Sequence, residues 1–311
     1  MVSSLGHALR TFVRFQPSPL SLAAVAWPTV AFSTRRSSGA RGTTTSFPGF
    51  TPRNHLDAMY RPSPFDYDDR DLDPSDKHWQ WQSFVTKRVH DFYKASRLER
   101  NEGNILEIGG GAVVAYMISA VPFAKRIFFA EFGEANREEV RKWDAGEAGA
   151  FDWEPFFDHV VVSLEGKSYE ESRIRVKELR EKLVDDMLFC NIHSSLPLED
   201  ERYENFFHVV SSHFCVEAAC SDLKQYENAF KNIGRLVKKN GWILVSGALE
   251  QTYYVIEGKK FPAITIENEQ VVKDVLQRSG FHSIDIDSID LNIDKEHADI
   301  KKIYSVYAQL K

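Results

Sequence analysis

The residues best suited to chemistry lie between Asn104 and Asn136. An apolar strand, Ile105-Leu106-Glu107-Ile108, runs into Gly109-Gly110-Gly111, and a second, Ile127-Phe128-Phe129-Ala130, ends on Glu131. The acid follows the glycines by about twenty residues, the outline of a nucleotide-binding βαβ unit. Glycine lets a backbone approach a ligand closely because no Cβ intrudes, and an acid at the tip of the next strand can accept hydrogen bonds from both hydroxyls of a ribose. An adenosine moiety is the implied ligand.

The choice of adenosine cofactor turns on what is missing. A dinucleotide fingerprint requires a third glycine where this chain has Val114, which disfavours NAD, and no G-x-x-x-x-G-K-[ST] phosphate loop occurs. S-adenosylmethionine is the remaining common partner of a single glycine turn and a ribose-binding acid. The same turn would also serve as an ordinary strand-to-helix connection in any α/β protein.

The surrounding pattern supplies elements to position these residues. Trp81, Val85, Val89 and Phe92 recur at helical spacing, predicting an amphipathic helix from Asp76 to about Ser96, with Asp73 or Ser75 as its cap. Short strands are expected at Met187–Ile192, Phe207–Ser211 and Trp242–Ser246. A helix is expected over Glu217–Lys239, with Leu223, Tyr226, Phe230, Ile233 and Val237 buried and Asn240-Gly241 closing it. Tyr169–Asp186 reads as a surface helix with a narrow face of Ile174, Leu179, Leu183 and Met187. Tyr253–Ile256 and Phe261–Ile266 flank Glu257-Gly258-Lys259-Lys260, a hairpin signal. Strands alternating with helices predict a mostly parallel sheet covered on both faces, with ligand at the carboxyl ends of its strands.

Composition bounds the possibilities. The chain has 311 residues, 43% hydrophobic and 27% charged, ample for a buried core. A net charge of -6 with no concentrated basic face argues against sequence-independent nucleic-acid binding. No stretch reaches the roughly 18 apolar residues of a membrane span. Cys190, Cys215 and Cys220 are odd in number and lack metal-site spacing, so neither a disulfide framework nor a metal centre is expected. No acid precedes Asp57, whereas Arg10, Arg14, Arg35, Arg36, Arg41 and Arg53 lie among Ser, Thr and Ala. Residues 1–46 therefore read as a mitochondrial transit peptide or as a disordered leader to a cytoplasmic protein, ahead of one domain at 47–311.

Several phrases together are more specific than the fold. Ala150-Phe151-Asp152-Trp153, the run from Phe214 to Leu223, the run from Gly247 to Tyr254 and the hairpin after it resemble the nicotinamide, phenylethanolamine and indolethylamine N-methyltransferases over Phe47 to Lys311. The resemblance implies a class I S-adenosylmethionine-dependent methyltransferase: a Rossmann-like α/β fold with a mostly parallel seven-stranded sheet, an N-terminal helical lid and a β-hairpin insertion that forms an amine pocket. It further implies action on a small amine; the chain is expected to be a monomer.

Position by position, the resemblance places Gly109 and Gly111 along the methionine part of the cofactor and Glu131, where the family commonly has Asp, on the ribose. Asn136 matches a cofactor-binding Asn, Asn191-Ile192 an Asp-Val pair beside adenine, and Tyr60 one tyrosine of the lid, with His213 beside the cofactor. Phe47 and His55 stand where the family has two further lid tyrosines, and Ala115 replaces another, with Tyr116 next to it. On the substrate side, Gly247 replaces the Asp that grips nicotinamide, and Glu217 and Glu250 resemble acids of the phenylethanolamine enzyme. Phe214, Gln251, Tyr253 and Tyr254 complete the implied pocket.

Alignment of the amine with an activated methyl and exclusion of water would then supply most of the catalysis. Glu217, Glu250 or His213 could carry the ammonium proton to solvent. Glu217 at a helix N-terminus, a solvated Glu250 and a strand-end His213 are equally natural structural residues. A catalytically silent binder of cofactor or amine is the alternative that Phe47, His55, Ala115 and Asn191 suggest; a nicotinamide-dinucleotide oxidoreductase is the other.

Overall fold

A computed structural model describes residues 51–60, 77–256, 258–291 and 298–311. The leader, Phe47, Asp73 and Ser75 lie outside the described residues. Seven strands form one sheet in the order β3-β2-β1-β4-β5-β9-β8. They are β1 (Gly103–Ile108), β2 (Ala124–Glu131), β3 (Leu188–Phe189), β4 (Phe207–His213), β5 (Val237–Leu249), β8 (Phe281–Asp290) and β9 (Lys302–Leu310). The first five run parallel; β9 is antiparallel to both β5 and β8. From β1 the order departs towards β2 on one side and β4 on the other, and the crevice beyond the carboxyl ends at such a switch point is where open α/β sheets bind ligands. This is the class I methyltransferase architecture.

Both faces of the sheet are covered. On one lie α1 (Pro52–Tyr60) and α2 (Lys77–Ala95), whose Trp81, Val85, Val89 and Phe92 are all buried as their spacing required. The same layer receives α3 (Glu134–Asp144), α4 (Glu154–Asp158) and α5 (Tyr169–Lys182). On the other face lie the short α6 (Val216–Ala219), α7 (Leu223–Gly234) and α8 (Glu269–Arg278). A separate hairpin pairs β6 (Tyr253–Ile256) with β7 (Lys259–Pro262). Among the described residues no helix is long and apolar enough to cross a membrane.

Several element boundaries differ from the sequence expectation: β5 runs Val237–Leu249 rather than Trp242–Ser246, β4 reaches His213 rather than Ser211, α5 ends at Lys182 rather than Asp186, and others differ for local reasons. The helix expected over Glu217–Lys239 breaks at Cys220–Asp222, because the Asp222 side chain accepts the Gln225 N–H at 2.8 Å and begins a new helix there. It also ends early: beyond Gly234 the chain extends, Leu236 O accepts the Phe207 N–H at 3.0 Å, and Val237 enters the sheet rather than a helical stripe. Leu223, at the first turn of α7, is exposed, as is Ile174 on α5. The strand expected over Met187–Ile192 pairs only at Leu188–Phe189, because Asn191 Oδ1 takes the His193 N–H at 3.0 Å and turns the chain. The second hairpin strand stops at Pro262, after which Ile264 donates to Glu217 O at 3.3 Å.

Candidate active site

The glycine turn and Glu131 meet at the switch point. Gly109 and Gly111 both hold positive φ, 69° and 66°, which glycine adopts without a Cβ penalty. A Cβ at Gly109 would lie 2.2 Å from Cys215 Sγ, so this position closes the packing between the ends of β1 and β4. A Cβ at Gly111 would meet nothing within 4 Å, so the backbone there borders open space. Glu131 Oε1 accepts from Gly133 N at 2.9 Å and Asn136 Nδ2 at 3.1 Å, and Oε2 accepts from Gly111 N at 3.3 Å. Four of the residues singled out from sequence, Gly109, Gly111, Glu131 and Asn136, thus form one cluster. Burial raises the Glu131 carboxyl pKa, and these three donors with Arg137 oppose the rise.

This cluster fits an adenosyl cofactor. The acid is held in place through one oxygen, the other carries only a long bond, and the buried Asn136 Oδ1 lacks a partner. Asn191 and Ile192 lie in the turn after β3; the Asn191 carbonyl is engaged by His193 N–H, and Ile192 is buried with its O accepting from Asn232 Nδ2 at 2.9 Å. Val114, in the place of a third dinucleotide glycine, is fully buried.

On the α1–α2 side of the switch point is a buried polar group whose key acid the sequence reading passed over. Glu107, one of the β1 residues, receives a hydrogen bond from Ser211 Oγ, and its Oε1 has no partner. Burial pushes its carboxyl pKa up to about 8. His213, at the end of β4, stands 4.0 Å from Glu107 Oε2, yet burial lowers its pKa to about 3, so the pair is not an ion pair near neutral pH. Neither His213 nitrogen has a partner. Its ring lies 4.2 Å from that of Tyr116, whose hydroxyl is 3.2 Å from that of Tyr60. Tyr60 is packed edge-on by Trp81 and Trp153, and Trp81 in turn meets Phe214 at 5.2 Å. Tyr116, adjacent to the substituted Ala115, is therefore the residue joined to Tyr60. His55 lies on α1, partly buried.

A second acid sits across the sheet. Glu217 follows β4 on α6, and its Oε1 accepts from Ala248 N at 3.1 Å, while the buried Oε2 has no partner. Burial raises its pKa to about 7. Gly247 makes this placement possible, because a Cβ there would lie 2.7 Å from Glu217 Oε1 and 2.8 Å from the Tyr304 hydroxyl. A side chain at 247 and the Glu217 carboxylate compete for one volume. The hairpin closes over this edge: Tyr254 stacks on Phe261 at 5.6 Å, and burial with the nearby Cys215 and Glu217 raises its pKa to about 12. Gln251 is buried with Nε2 donating to Tyr253 O at 3.1 Å, and Lys260 Nζ sits 4.0 Å from the Tyr253 ring centre. Glu250 is placed differently; it is exposed, with positive φ, and lies 3.6 Å from Lys301 Nζ.

Of the residues that the sequence reading passed over, Glu107 had a signal. An acid inside an otherwise apolar parallel strand is costly to bury unless it has work to do. Cys215 had none, because its role is set by proximity to Gly109.

The NNMT/PNMT/TEMT family model matches residues 42–311. Human nicotinamide N-methyltransferase is 29% identical over 226 residues, covering 71% of this chain and 78% of its own. Phenylethanolamine N-methyltransferase from Sus scrofa is 29% identical over 266 residues, covering 84% and 89% respectively. Both are N-methyltransferases, and the dinucleotide oxidoreductase alternative finds no support. With the glycine turn, Glu131 and the hairpin all at the carboxyl ends of the parallel strands and the family match spanning most of the sequence, the chain belongs to the NNMT/PNMT/TEMT family.

Proposed function

We propose that the chain methylates the nitrogen of a small arylalkylamine, with Glu217 as the acceptor of the amine proton. It is an enzyme, and its methyl donor is S-adenosylmethionine, whose sulfonium carries an already activated methyl group. The observation that carries the amine reading is the Glu217 carboxylate, buried, bonded through one oxygen only, and titrating near neutrality. A group with such a pKa can both attract an ammonium and take its proton at physiological pH. Gly247 supports the same reading, since nicotinamide would need an acid at 247 and Glu217 occupies that volume.

The remaining residues orient and shield. Glu131 would hold the ribose and Gly109–Gly111 would let the backbone approach the cofactor. Tyr60, Tyr116, Trp81 and Phe214 would exclude water from the reacting atoms, and aromatic faces there favour cations. Glu250, exposed beside Lys301, is not given a catalytic part.

Glu217→Gln tests this reading. It should lower kcat/KM for a phenylethylamine-type acceptor by about ten-fold or more, the loss of a charge-assisted contact, and leave cofactor affinity unchanged. The acidic limb of the wild-type rate profile, governed by a group near pH 7, should vanish. A kinetically silent substitution would contradict the assignment.

A further inference from the structure

A well-formed cleft of the described residues lies away from the candidate active site. It lies at the opposite edge of the sheet, where β4 and β5 begin and β9 ends, and has a volume of about 540 Å³, within the range of small-molecule sites. Its two walls differ in chemistry. One is aromatic: Phe92, Trp242 and Tyr307 pack together with ring centres 5.4 to 6.2 Å apart. The other carries Arg97, His208, Lys238 and Lys239, and none of the described residues lining the cleft is acidic.

The basic wall contains a contact that the protein leaves unresolved. The backbone N–H of Asn104 donates to His208 Nδ1 at 3.0 Å, which commits that nitrogen as an acceptor. A neutral imidazole then bears its proton on Nε2. Nε2 lies 3.2 Å from Lys238 Nζ, and an ammonium has donors only. Two donors therefore face one another with no acceptor between them. Burial, followed by the Lys238 charge, keeps His208 below its usual titration range despite a neighbouring Glu102, so the ring stays neutral. The backbones beneath this contact pack closely: the β4–β5 register is irregular between Val237 and Trp242, and a Cβ at Gly241 would lie 2.9 Å from Lys238 O and 3.0 Å from His208 O.

We propose that this cleft binds a planar aromatic oxyanion, a carboxylate or phosphate ester, whose oxygens accept from His208 Nε2–H and Lys238 Nζ while its ring lies on Trp242 and Tyr307. An oxyanion is the group that satisfies two converging donors of this kind. The site is separate from the methyl-transfer edge, and its existence does not depend on the substrate assigned there.

Calorimetric titration of the full chain saturated with S-adenosylhomocysteine provides the test, using 1-naphthyl phosphate, 1-naphthoate, 1-naphthol and inorganic phosphate. Saturable binding of naphthyl phosphate or naphthoate is expected, with whichever binds more tightly defining the oxyanion, and with naphthol and inorganic phosphate each weaker. Lys238→Met should weaken the aromatic anion by about ten-fold or more, as expected for a lost charge-assisted bond. No saturable binding of either aromatic anion, or equal affinity in Lys238→Met, would overturn the proposal. Nitrogen-15 NMR of the ligand-free protein tests the premise directly: Nε2 of His208 should carry the proton, and a protonated Nδ1 with Nε2 accepting from Lys238 would overturn it.

Discussion

Glu131 shows how one side chain can organise the turn at the end of a strand. Its carboxylate collects the N–H groups of Gly111 and Gly133 and the Asn136 amide, and so fixes the turn that it also serves. Glu131→Ala should weaken S-adenosylmethionine binding by about 1.5 to 3 kcal/mol, measured by calorimetry; unchanged affinity in a folded variant would contradict the ribose assignment. Glu107 makes a prediction about pH. Its folded pKa, about 8, lies above the ordinary carboxyl value of 4.5. The folded state therefore holds a proton that the unfolded state has released, and stability is fully present below pH 4.5 and lost as pH rises towards 8. From pH 7 to pH 9, above the range in which buried His213 titrates in either state, the thermal midpoint of the ligand-free protein should fall, and Glu107→Gln should make that fall smaller. The glycines and Glu131 were legible from spacing alone. His213 was named from the resemblance, but its surroundings were not legible, because its buried, unpartnered nitrogens and its contact with Tyr116 depend on where β4 ends relative to a turn nearly one hundred residues earlier in the chain.

At the scale of elements, strong periodicity was readable and competition between local and tertiary bonding was not. The helix α2 was evident because four large apolar residues recur on one face. The end of α7 was not, since Leu236 and Val237 continue an apolar pattern yet bond to the start of β4. The short β3 was overextended because Asn191 forms a turn that hydrophobicity does not reveal. The contact between α6 and β5 carries the sharpest packing prediction. Gly247→Ala would place a Cβ against Glu217 Oε1 and the Tyr304 hydroxyl, at an overpacking cost of about 1 to 3 kcal/mol. The expected outcome is a lower thermal midpoint and lower methyl-transfer activity. Adding Tyr304→Phe should recover part of the stability, because one of the two obstructing oxygens is then gone. A Gly247→Ala protein as stable and active as the parent would mean that Glu217 does not occupy this volume.

At the scale of the whole molecule, the family match begins at residue 42, within the acid-free N-terminal stretch that ends at Asp57. Removal of residues 1–46 should leave the thermal midpoint and the methyl-transfer rate nearly unchanged, because the domain carries its own core; a large loss of either would show that the leader packs on the domain. The division of labour across the sheet follows from its topology. Glu131, the glycines, Glu107 and His213 gather around the carboxyl ends of β1, β2 and β4, while the end of β5 and its hairpin bring up Glu217, Gly247 and Tyr254. The most direct test is release of S-adenosylhomocysteine when the purified chain and S-adenosylmethionine are supplied separately with phenylethylamine, phenylethanolamine, tryptamine and nicotinamide. The expected result is turnover with at least one arylalkylamine at a higher kcat/KM than with nicotinamide. Nicotinamide as the best acceptor, or no turnover with any of the four despite S-adenosylmethionine binding, would contradict it.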